Sequence, residues 1–466
     1  MKKSGLFLII VFSVLAFFSC KKDEDKTPEV PYEILEKQSF TAEEYADFLF
    51  GPESMEKASS ERDQFFEDHN ALEQKIAEKV GDNGISVSYE YVRFSYPSTD
   101  AHNNKIRLSG TLALAYYWAF GDHYLDPDNI VLDCHWTKGK NEEVCDINYW
   151  EEHQSTGAWF MGAFDVIPSL SFAARDMLVV VPDYLGYGKT ISYVHPYLNE
   201  RLIAKNNYDA VVAAVQYIKD EYDASLESDV DMAIIGYSQG GAVAMASAMY
   251  FAEKNDANVK KWNLKRVCCG SGPYNPVTTM KTYFENDVNY YPAALPMVLM
   301  SMFYSYPEIM ERNGHTFDDY VCDKLKGTDL QARITSKQYT VDESNEYMAQ
   351  LVTGSKKLPI KCSEFLSKEA LDPESDIYKN LMECLEKNNL TNKTYWPKLP
   401  NVKYKFHYTF SDKVVPCVNT TEMMGRLATD GQSYKTATVE DESHSDYGSS
   451  FYKHLMFTKI ANWCED

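Results

Sequence analysis

One short segment, residues 231–241, restricts the fold of this chain more than any other. It reads Asp-Met-Ala-Ile-Ile-Gly-Tyr-Ser-Gln-Gly-Gly, and an alanine-rich stretch follows it. The apolar run is typical of a strand buried on both faces, and the alanine-rich stretch of a helix. Glycines on either side of the serine let strand and helix approach closely around a sharp turn, which exposes the serine hydroxyl. The segment therefore predicts a strand–turn–helix unit with Ser238 as a nucleophile.

The rest of the chain alternates short apolar runs with helical stretches. Runs that are apolar enough for buried strands lie at residues 130–134, 177–181, 232–235 and 267–269. Helical periodicity marks residues 204–222 and 240–252. Two alternating runs, residues 85–96 and 106–118, come earlier and are expected to pair with each other. Strands that alternate with helices predict an α/β fold, in which a mostly parallel sheet has helices on both faces.

The alternation stops after Pro273 and resumes only at residues 402–406. So long a stretch without strands, inside a sheet domain, predicts a large inserted helical cap. Its aromatic and methionine-rich beginning is interpreted mainly as the core of this cap. The predicted segments are a leader with a lipidated cysteine (1–20), a charged tether with N-terminal helices (21–84), the first part of the core (85–273), the cap (274–398) and the second part of the core (399–466).

The N-terminus has the layout of a secretory signal peptide. Two lysines precede an apolar run at residues 6–18, which is too short to span a membrane comfortably, and Ser19-Cys20 follows it. A cysteine after a small residue resembles the lipoprotein box of bacteria, whose cysteine becomes the lipidated N-terminus. The charged residues 21–26 resemble a tag that directs lipoproteins to the surface of an outer membrane. We therefore expect a cell-envelope protein that is anchored through Cys20, the alternative being a plain signal peptide with a chance cysteine.

The net charge of −23 restricts the partners of the protein. No run of lysine or arginine could follow a phosphate backbone, so nucleic acid and anionic membrane surfaces are excluded as expected partners. Contact with a membrane is expected through the lipid anchor only. No histidine or carboxylate pair has the helical spacing of metal ligands, so neither a metal nor another cofactor is expected. The sequence leaves the oligomeric state open.

Six of the ten cysteines fall into two groups, for which the sequence predicts different states. Three lie inside the apolar runs and are predicted to be buried free thiols: Cys134, Cys268 and Cys269. Three others lie in the predicted cap, where an oxidising compartment allows one disulfide among them: Cys322, Cys362 and Cys384.

A serine nucleophile needs a base, and the base needs an orienting carboxylate. In proteins with this strand–serine–helix unit, the order along the chain is serine, acid, histidine. Asp412 stands just past the end of a predicted strand, and His444 is expected in the loop before the last helix. His407 lies inside a strand and His454 inside a helix, so neither competes well. The nearby rivals of Asp412 are Asp430, Asp441 and Asp446.

Several segments together resemble the secretory lipase group of the α/β-hydrolase superfamily. They are Val-Val-Pro-Asp-Tyr-Leu-Gly-Tyr-Gly at residues 180–188, Gly-Tyr-Ser-Gln-Gly-Gly at 236–241, Gly-Ser-Gly-Pro at 270–273 and Asp-Lys-Val-Val-Pro at 412–416. The late histidine fits the same pattern. The resemblance covers residues 85–464 and implies the α/β-hydrolase fold. It also implies that Asp183 belongs to a structural turn and is not the triad acid.

The oxyanion of an acyl-transfer reaction needs backbone N–H donors, and Gln239, directly after the serine, is the first candidate. The second donor is expected from the loop at residues 134–139. There His135 resembles the histidine of the family's His-Gly motif, but Trp136 replaces the glycine, so the N–H of either Thr137 or Trp136 is the candidate. His135 itself is expected to be structural. The aromatic residues predicted to contact the substrate are Trp136, Tyr184 and Tyr237.

The first hypothesis is a serine hydrolase of carboxylic esters, lipase- or esterase-like, acting on a small acyl or sugar ester. His444 would deprotonate Ser238, Asp412 would hold the imidazole in its working tautomer, and an acyl-enzyme would form. The second hypothesis is a serine peptidase that trims short peptides, which would need acidic cap residues such as Glu308 and Glu311. The third is a binding protein on the cell surface that has lost catalysis, and the presence of all three triad residues counts against it.

Overall fold

The computed structural model describes residues 30–51, 59–81, 85–119, 122–125, 127, 129–145, 169–222, 230–254, 258 and 262–456. The predictions for the leader, the charged residues after it and Cys20 lie outside these ranges. Within them, no helix is long and apolar enough to cross a bilayer.

The described strands form one ten-stranded sheet. They are β1 (Glu33–Phe40), β2 (Val87–Thr99), β3 (Lys105–Ala119), β4 (Asp122–Tyr124), β5 (Asn129–Cys134), β6 (Met177–Pro182), β7 (Val230–Tyr237), β8 (Trp262–Gly270), β9 (Lys403–Thr409) and β10 (Tyr434–Val439). Their order across the sheet is β1-β2-β3-β6-β5-β7-β8-β9-β10, with β4 paired to β3. From β6 onward all neighbours are parallel, whereas β1, β2 and β3 pair antiparallel. The predicted mostly parallel sheet is confirmed.

Helices precede, interrupt and follow the strands. They are α1 (Ala42–Phe50), α2 (Ser59–Val80), α3 (Glu142–Cys145), α4 (Glu200–Tyr222), α5 (Gln239–Glu253), α6 (Pro276–Asn286), α7 (Ala294–Ser305), α8 (Pro307–Met310), α9 (Phe317–Tyr320), α10 (Leu330–Ser336), α11 (Val341–Thr353), α12 (Cys362–Phe365), α13 (Lys368–Leu371), α14 (Asp376–Lys387), α15 (Val418–Thr429) and α16 (His444–Met456). Short 3-10 turns occupy Ser171–Arg175, Gly188–Thr190 and Arg312–Gly314.

Both faces of the sheet are buried, and the side chains of β6 show how. Leu178 and Val180 belong to a core that contains residues of α4 and α5. Val179 and Val181 belong to a second core, which contains residues of α1, α2 and α16. Successive side chains of a strand point to opposite faces, so these two cores are the two covered faces of one sheet. The predicted α/β fold with helices on both sides is therefore confirmed.

The sheet begins earlier in the chain than the sequence predicts. Residues 21–84 are predicted to hold a tether and helices, and α1 and α2 match the helices, but β1 precedes them and pairs antiparallel with β2. Charged residues such as Glu33, Glu36 and Lys37 occupy this strand, as is usual at a sheet edge, where they oppose pairing with another chain. Because of the same charges, the sequence of this segment predicts a polar tether instead of a strand.

Between β8 and β9 the chain forms helices α6 to α14, called the helical insertion below. Met297, Leu299 and Met302 of α7 are buried in an apolar core that also contains Phe365 and Leu381, so the insertion packs around side chains of its own. This agrees with the interpretation of its methionine-rich beginning as core. The limits of a cap at residues 274 and 398 stay a prediction.

The disulfide that the sequence allows in this region is not formed. Cys322, Cys362 and Cys384 are free thiols. Cys322 Sγ donates to the carbonyl oxygen of Glu364 at 3.0 Å and Cys362 Sγ to that of Tyr283 at 3.5 Å, so these two thiols are hydrogen-bonded to the backbone. The strand cysteines Cys134, Cys268 and Cys269 are fully buried free thiols, as predicted.

Candidate active site

Ser238 occupies the sharp turn between β7 and α5. Its backbone has φ 56° and ψ −125°, a conformation that non-glycine residues rarely adopt and that the surrounding structure must hold in place. A Cβ atom on Gly236 would lie 2.3 Å from the carbonyl oxygen of Gly240, and one on Gly240 would lie 1.8 Å from that of Cys134. The glycines of the motif are therefore required by close backbone contact, and the predicted strand–turn–helix unit is present.

The structure brings together the three residues of the predicted triad. His444 Nε2 lies 2.8 Å from Ser238 Oγ, and His444 Nδ1 lies 2.6 Å from Asp412 Oδ2. The other carboxylate oxygen of Asp412 accepts hydrogen bonds from the backbone N–H groups of Val414 (2.9 Å) and Val415 (2.7 Å). A neutral imidazole with its proton on Nδ1 donates to the carboxylate and accepts the serine hydroxyl. His444 Nε2 is therefore in position to accept the proton of the Ser238 hydroxyl.

His444 reaches this position from a different element than predicted, because it begins α16 and does not lie in the loop before it. The preceding Ser443 explains this start. Its Oγ accepts the backbone N–H of Asp446 at 3.2 Å and donates to the Asp446 carboxylate at 2.6 Å, which is a helix-capping arrangement. Ser443 and Asp446 thus fix the helix start that carries His444.

The rival residues lie elsewhere. Asp430 accepts from Lys393 at the end of α15, and Asp446 is engaged by Ser443. His407 is buried inside β9. Asp183, expected in a structural turn, accepts from both guanidinium nitrogens of Arg93 and from the Ser109 hydroxyl at 2.6 Å. None of these groups contacts His444 or Ser238 in the described part of the chain.

Gln239, the predicted oxyanion residue, is the first residue of α5, where backbone N–H groups have no partner within the helix. Its side-chain nitrogen Nε2 lies 2.8 Å from His195 Nε2, and His195 Nδ1 lies 2.9 Å from the carbonyl oxygen of Leu185. Burial lowers the pKa of His195 to about 3, so the ring is neutral at ordinary pH. The neutral ring donates from Nδ1 to Leu185 and accepts the amide of Gln239 at Nε2. The sequence analysis missed His195, because no local motif links it to Gln239.

The second oxyanion candidates, Trp136 and Thr137, line a cavity that also contains Ser238 and His444. Thr137 Oγ1 is hydrogen-bonded to the hydroxyl of Tyr197 at 3.1 Å. His135 is buried and stacks on Tyr184 with ring centroids 3.9 Å apart, which gives it the structural place that the sequence predicts. The second oxyanion donor stays a prediction, with the N–H of Thr137 or of Trp136 as the candidate.

The loop that carries these residues is joined to the helical insertion through the backbone. A Cβ atom on Gly139 would lie 2.5 Å from the carbonyl oxygen of Tyr339. Lys140 and Gln338 form an antiparallel bridge, and the Asn141 N–H donates to the carbonyl oxygen of Lys337 at 2.8 Å. The oxyanion loop and residues 337–339 of the insertion therefore hold each other in place.

The aromatic residues predicted to contact substrate differ in position. Trp136 and Tyr237 line the cavity at Ser238, and the Tyr237 hydroxyl donates to the carbonyl oxygen of His444 at 2.8 Å. Tyr184 is fully buried in the sheet core, donates to the carbonyl oxygen of His135 and lines none of the cavities described here. The substrate contact predicted for Tyr184 is therefore corrected to a supporting position beneath the oxyanion loop.

Two cavities meet at Ser238. One, the apolar cavity, is lined mostly by apolar side chains. Its walls come mainly from the helical insertion and the loop after β9, among them Met280, Tyr283, Ala294, Leu295, Val298 and Val415. The other, the polar cavity, is lined by Trp136, Glu143, Tyr237, Asp342, His444 and Ser445. Ser238 and Tyr291 border both cavities. The insertion walls carry no sequence motif, so they could not be assigned beforehand.

Comparison with known proteins shows the family and the fold of the chain. Residues 163–454 match the pattern of the secretory lipase family. A cell wall degrading esterase, LipA from Xanthomonas oryzae, has a similar structure, with a TM-score of 0.61 and 17% sequence identity over 94% of this chain and 96% of that one. A hydrolase from Legionella pneumophila gives a TM-score of 0.58 and 17% identity over 92% and 99% of the two chains. Lipase A from Candida antarctica gives 0.51 and 14% over 77% and 73%. These likenesses show a shared fold. No curated protein sequence matches the chain.

Proposed function

Because the chain belongs to the secretory lipase family of α/β-hydrolases, we propose that it cleaves carboxylic esters with Ser238 as nucleophile. The observation that carries this proposal is the position of His444, which lies within hydrogen-bond distance of both Ser238 Oγ (2.8 Å) and Asp412 Oδ2 (2.6 Å). A serine so placed is activated by the adjacent base, and the base is oriented by the carboxylate.

In the first step, Ser238 Oγ attacks the carbonyl carbon of the ester while His444 Nε2 takes the hydroxyl proton. Asp412 stays ionised and stabilises the imidazolium that forms. Two backbone N–H donors to Asp412 Oδ1 hold that carboxylate in place facing His444. The carbonyl oxygen becomes an oxyanion bound by the Gln239 N–H together with the N–H of Thr137 or Trp136.

The second step decides which cavity holds which half of the ester. His444 returns its proton to the leaving alcohol oxygen, so the alcohol must lie on the side of His444. The polar cavity contains His444, whereas the apolar cavity does not. The alcohol therefore occupies the polar cavity and the acyl group the apolar one. Water then attacks the acyl-enzyme with His444 as base again and releases the acid.

The walls of the two cavities define the substrate class. The apolar cavity is lined by aliphatic side chains and tyrosines, which suits a short acyl chain or an aromatic acid. The polar cavity combines Trp136 with hydroxyl and carboxylate groups, as in Ser445, Glu143 and Asp342, which suits an alcohol with several hydroxyls. We propose an ester of an apolar acid with a polar alcohol, such as a sugar ester.

A peptidase is the second candidate and fits the cavities less well. An enzyme that trims peptides from their amino end must hold a substrate amine on the acyl side of the cleaved bond. The described wall of the apolar cavity contains no carboxylate. Glu308 and Glu311, which the peptidase hypothesis would use, are exposed and line neither cavity at Ser238.

The test is a rate assay on purified protein without residues 1–20. The panel holds p-nitrophenyl esters of rising chain length, acetyl and feruloyl sugar esters, and aminoacyl and dipeptidyl anilides. Sugar esters are included because a protein of the same fold is a cell wall degrading esterase. We expect the esters to be hydrolysed faster than the anilides, and Ser238→Ala to lose at least about 10⁴-fold in kcat.

The matched control is Ser433→Ala, which removes a hydroxyl at an exposed position that lines neither cavity and should retain turnover within a few-fold. Substantial turnover by Ser238→Ala would overturn the nucleophile. Faster hydrolysis of an anilide than of every ester would favour the peptidase.

We further propose that Cys20 is lipidated and anchors the protein in the cell envelope, with the outer membrane as the expected address. The family is described as secretory, which agrees with export. Cys20→Ala should release the protein from the membrane fraction, as measured by cell fractionation, and continued sedimentation with membranes would contradict the anchor.

A further inference from the structure

A third cavity lies beside the polar cavity and shares Lys138 and Val341 with it. We call it the basic cavity. Its wall contains the side chains of Lys138, Arg333 and Lys337. The whole chain has a net charge of −23, so this grouping of cationic side chains around one enclosed space runs against its composition.

Lys337 is the most unusual of these groups, because only 4% of its surface is exposed. Its ammonium has one long contact, 3.4 Å from the carbonyl oxygen of Ile334, and lies 5.5 Å from the ring centre of Tyr187. Burial lowers the pKa of Lys337 to about 8. An ammonium group that is removed from water is stabilised by an anion beside it.

Arg333 faces the same space from one turn earlier in α10. Its guanidinium stacks between two tyrosine rings, 3.4 Å from the centre of Tyr339 and 4.2 Å from that of Tyr347. Its Nε is buried and has no hydrogen-bond partner among the residues that the structure describes. Asp329, on the same helix start, is engaged by the Tyr347 hydroxyl. Over the described ranges of the chain, neither Arg333 nor Lys337 forms an ion pair with a carboxylate.

The remaining wall is apolar, with Val194, Met297, Met300 and Ile334. A guanidinium matches the two oxygens of a carboxylate, and an apolar wall requires that the ligand have an apolar body as well. Inorganic phosphate has no such body. We propose that the basic cavity binds a small organic carboxylate, whose head lies at Arg333 and Lys337 and whose body packs against Met297 and Met300.

The carboxylate can arrive in two ways. The basic cavity shares the wall residues Lys138 and Val341 with the polar cavity, so a carboxylate on the leaving alcohol of an ester could extend into it. A free acid could also bind there by itself. Only the first route rests on the proposed ester hydrolysis. Binding of a free acid can be measured even if the protein hydrolyses no ester.

The test is calorimetric titration of the purified full chain with sodium benzoate. We expect saturable binding with one phase that is weakened at least tenfold in Lys337→Met and in Arg333→Met, whereas any phase at the apolar cavity, which also suits an aromatic acid, should be unchanged in both variants. Lys357→Met is the matched control, since Lys357 is an exposed lysine of the same insertion, and its affinity should be unchanged. Met300→Trp fills the apolar half without changing charge and should also lose binding. Far-UV circular dichroism of each variant separates lost binding from lost folding.

No saturable binding of benzoate to the native chain would overturn the proposal, and so would equal affinity in folded Lys337→Met. Inorganic phosphate that binds more tightly than benzoate and displaces it would overturn the carboxylate assignment. Ser238→Ala should bind benzoate with native affinity, so a failure of ester hydrolysis and a failure of this site are separate results.

The two sources are distinguished with esters of one acid. Benzyl alcohol and 4-(hydroxymethyl)benzoate are compared as leaving groups. A kcat/KM at least tenfold higher for the charged ester, lost in Lys337→Met, identifies the substrate's own carboxylate. Equal kcat/KM values, together with saturable benzoate binding that depends on Lys337, identify a free acid.

Discussion

The carboxyl ends of the sheet strands and the helical insertion contribute to the same cavities in different ways. Every group proposed to act on the reacting atoms lies just beyond a strand end, with Ser238 in the turn after β7, Asp412 in the loop after β9 and His444 at the start of α16 after β10. The insertion supplies walls, such as Val298 on the acyl side and Asp342 on the alcohol side. Changes at the strand ends should therefore affect all substrates alike, whereas changes in the insertion should distinguish one substrate from another.

The largest effect is expected from the strand ends. Asp412→Asn leaves the size of the side chain unchanged but removes the charge that selects the tautomer of His444, so kcat should fall about 10⁴-fold for every ester tested. Asp441→Asn is the control, because Asp441 is an exposed rival in the same part of the chain. A loss of kcat that differs between esters, or an equal loss in Asp441→Asn, would contradict the expectation that changes at the strand ends affect all substrates alike.

The next largest effect is expected at the boundary between the strand ends and the insertion. There Glu200 begins α4, and its backbone N–H donates at 3.2 Å to Oδ1 of Asn388, the residue directly after the insertion. Its side chain is 1% exposed, both carboxylate oxygens lack a partner within the described residues, and burial raises its pKa to about 8 from 4.5. The folded protein holds this proton more tightly than the unfolded chain. The stabilising contribution of Glu200 is thus complete below about pH 4.5 and is lost as the pH rises through about 8.

Glu200→Gln imitates the protonated carboxyl at every pH. Its unfolding free energy should match that of the native protein near pH 4.5 and exceed it at pH 9 by several kcal/mol, on the order of 4. Denaturant unfolding at both pH values measures the difference. A difference that stays constant between them would exclude the raised pKa.

A smaller effect is expected from the support of the oxyanion donor. His195→Leu removes the acceptor that holds the Gln239 side chain, so kcat should fall about 10- to 100-fold with KM little changed, for long and short esters alike. His102→Leu, at an exposed histidine, is the control. A change confined to KM would give His195 a place in substrate binding instead.

The smallest effect is expected from the insertion, and it should be selective. Ala294→Phe narrows the apolar cavity, so kcat/KM for an octanoyl ester should fall about tenfold relative to an acetyl ester. Ala332→Phe makes the same change at an exposed position of the insertion and should leave the ratio unchanged. An equal loss on both esters in Ala294→Phe would mean that the insertion also shapes the reacting groups.

The sequence revealed the strand ends well because their requirements are local. The turn at Ser238 needs glycines within two residues of it, and Asp412 is recognised by the strand that precedes it. His444 was placed correctly in order but not in its element, although the Ser-x-x-Asp pattern at residues 443–446 predicts a helix start there. Reading that pattern would have corrected the assignment.

Other features depend on contacts that no local pattern records. His195 meets Gln239 across 44 residues, and its role depends on burial and on a carbonyl of Leu185. The walls of the apolar cavity combine residues of α6 and α7 with Val415, far along the chain. The charged residues of β1 lead to the prediction of a tether, because an edge strand and a polar tether have similar amino-acid compositions.

The backbone junction between Gly139 and Tyr339 has a consequence for how a substrate can enter. Raising the insertion at this point would break the hydrogen bond from Asn141 to Lys337 and release the loop that carries Trp136 and Thr137. Opening the site here would therefore dismantle the oxyanion donors at the same moment. A substrate that entered by this route would meet a site unable to react, and reactivity would return only on closing, so entry and hydrolysis would be consecutive events that exclude each other in time.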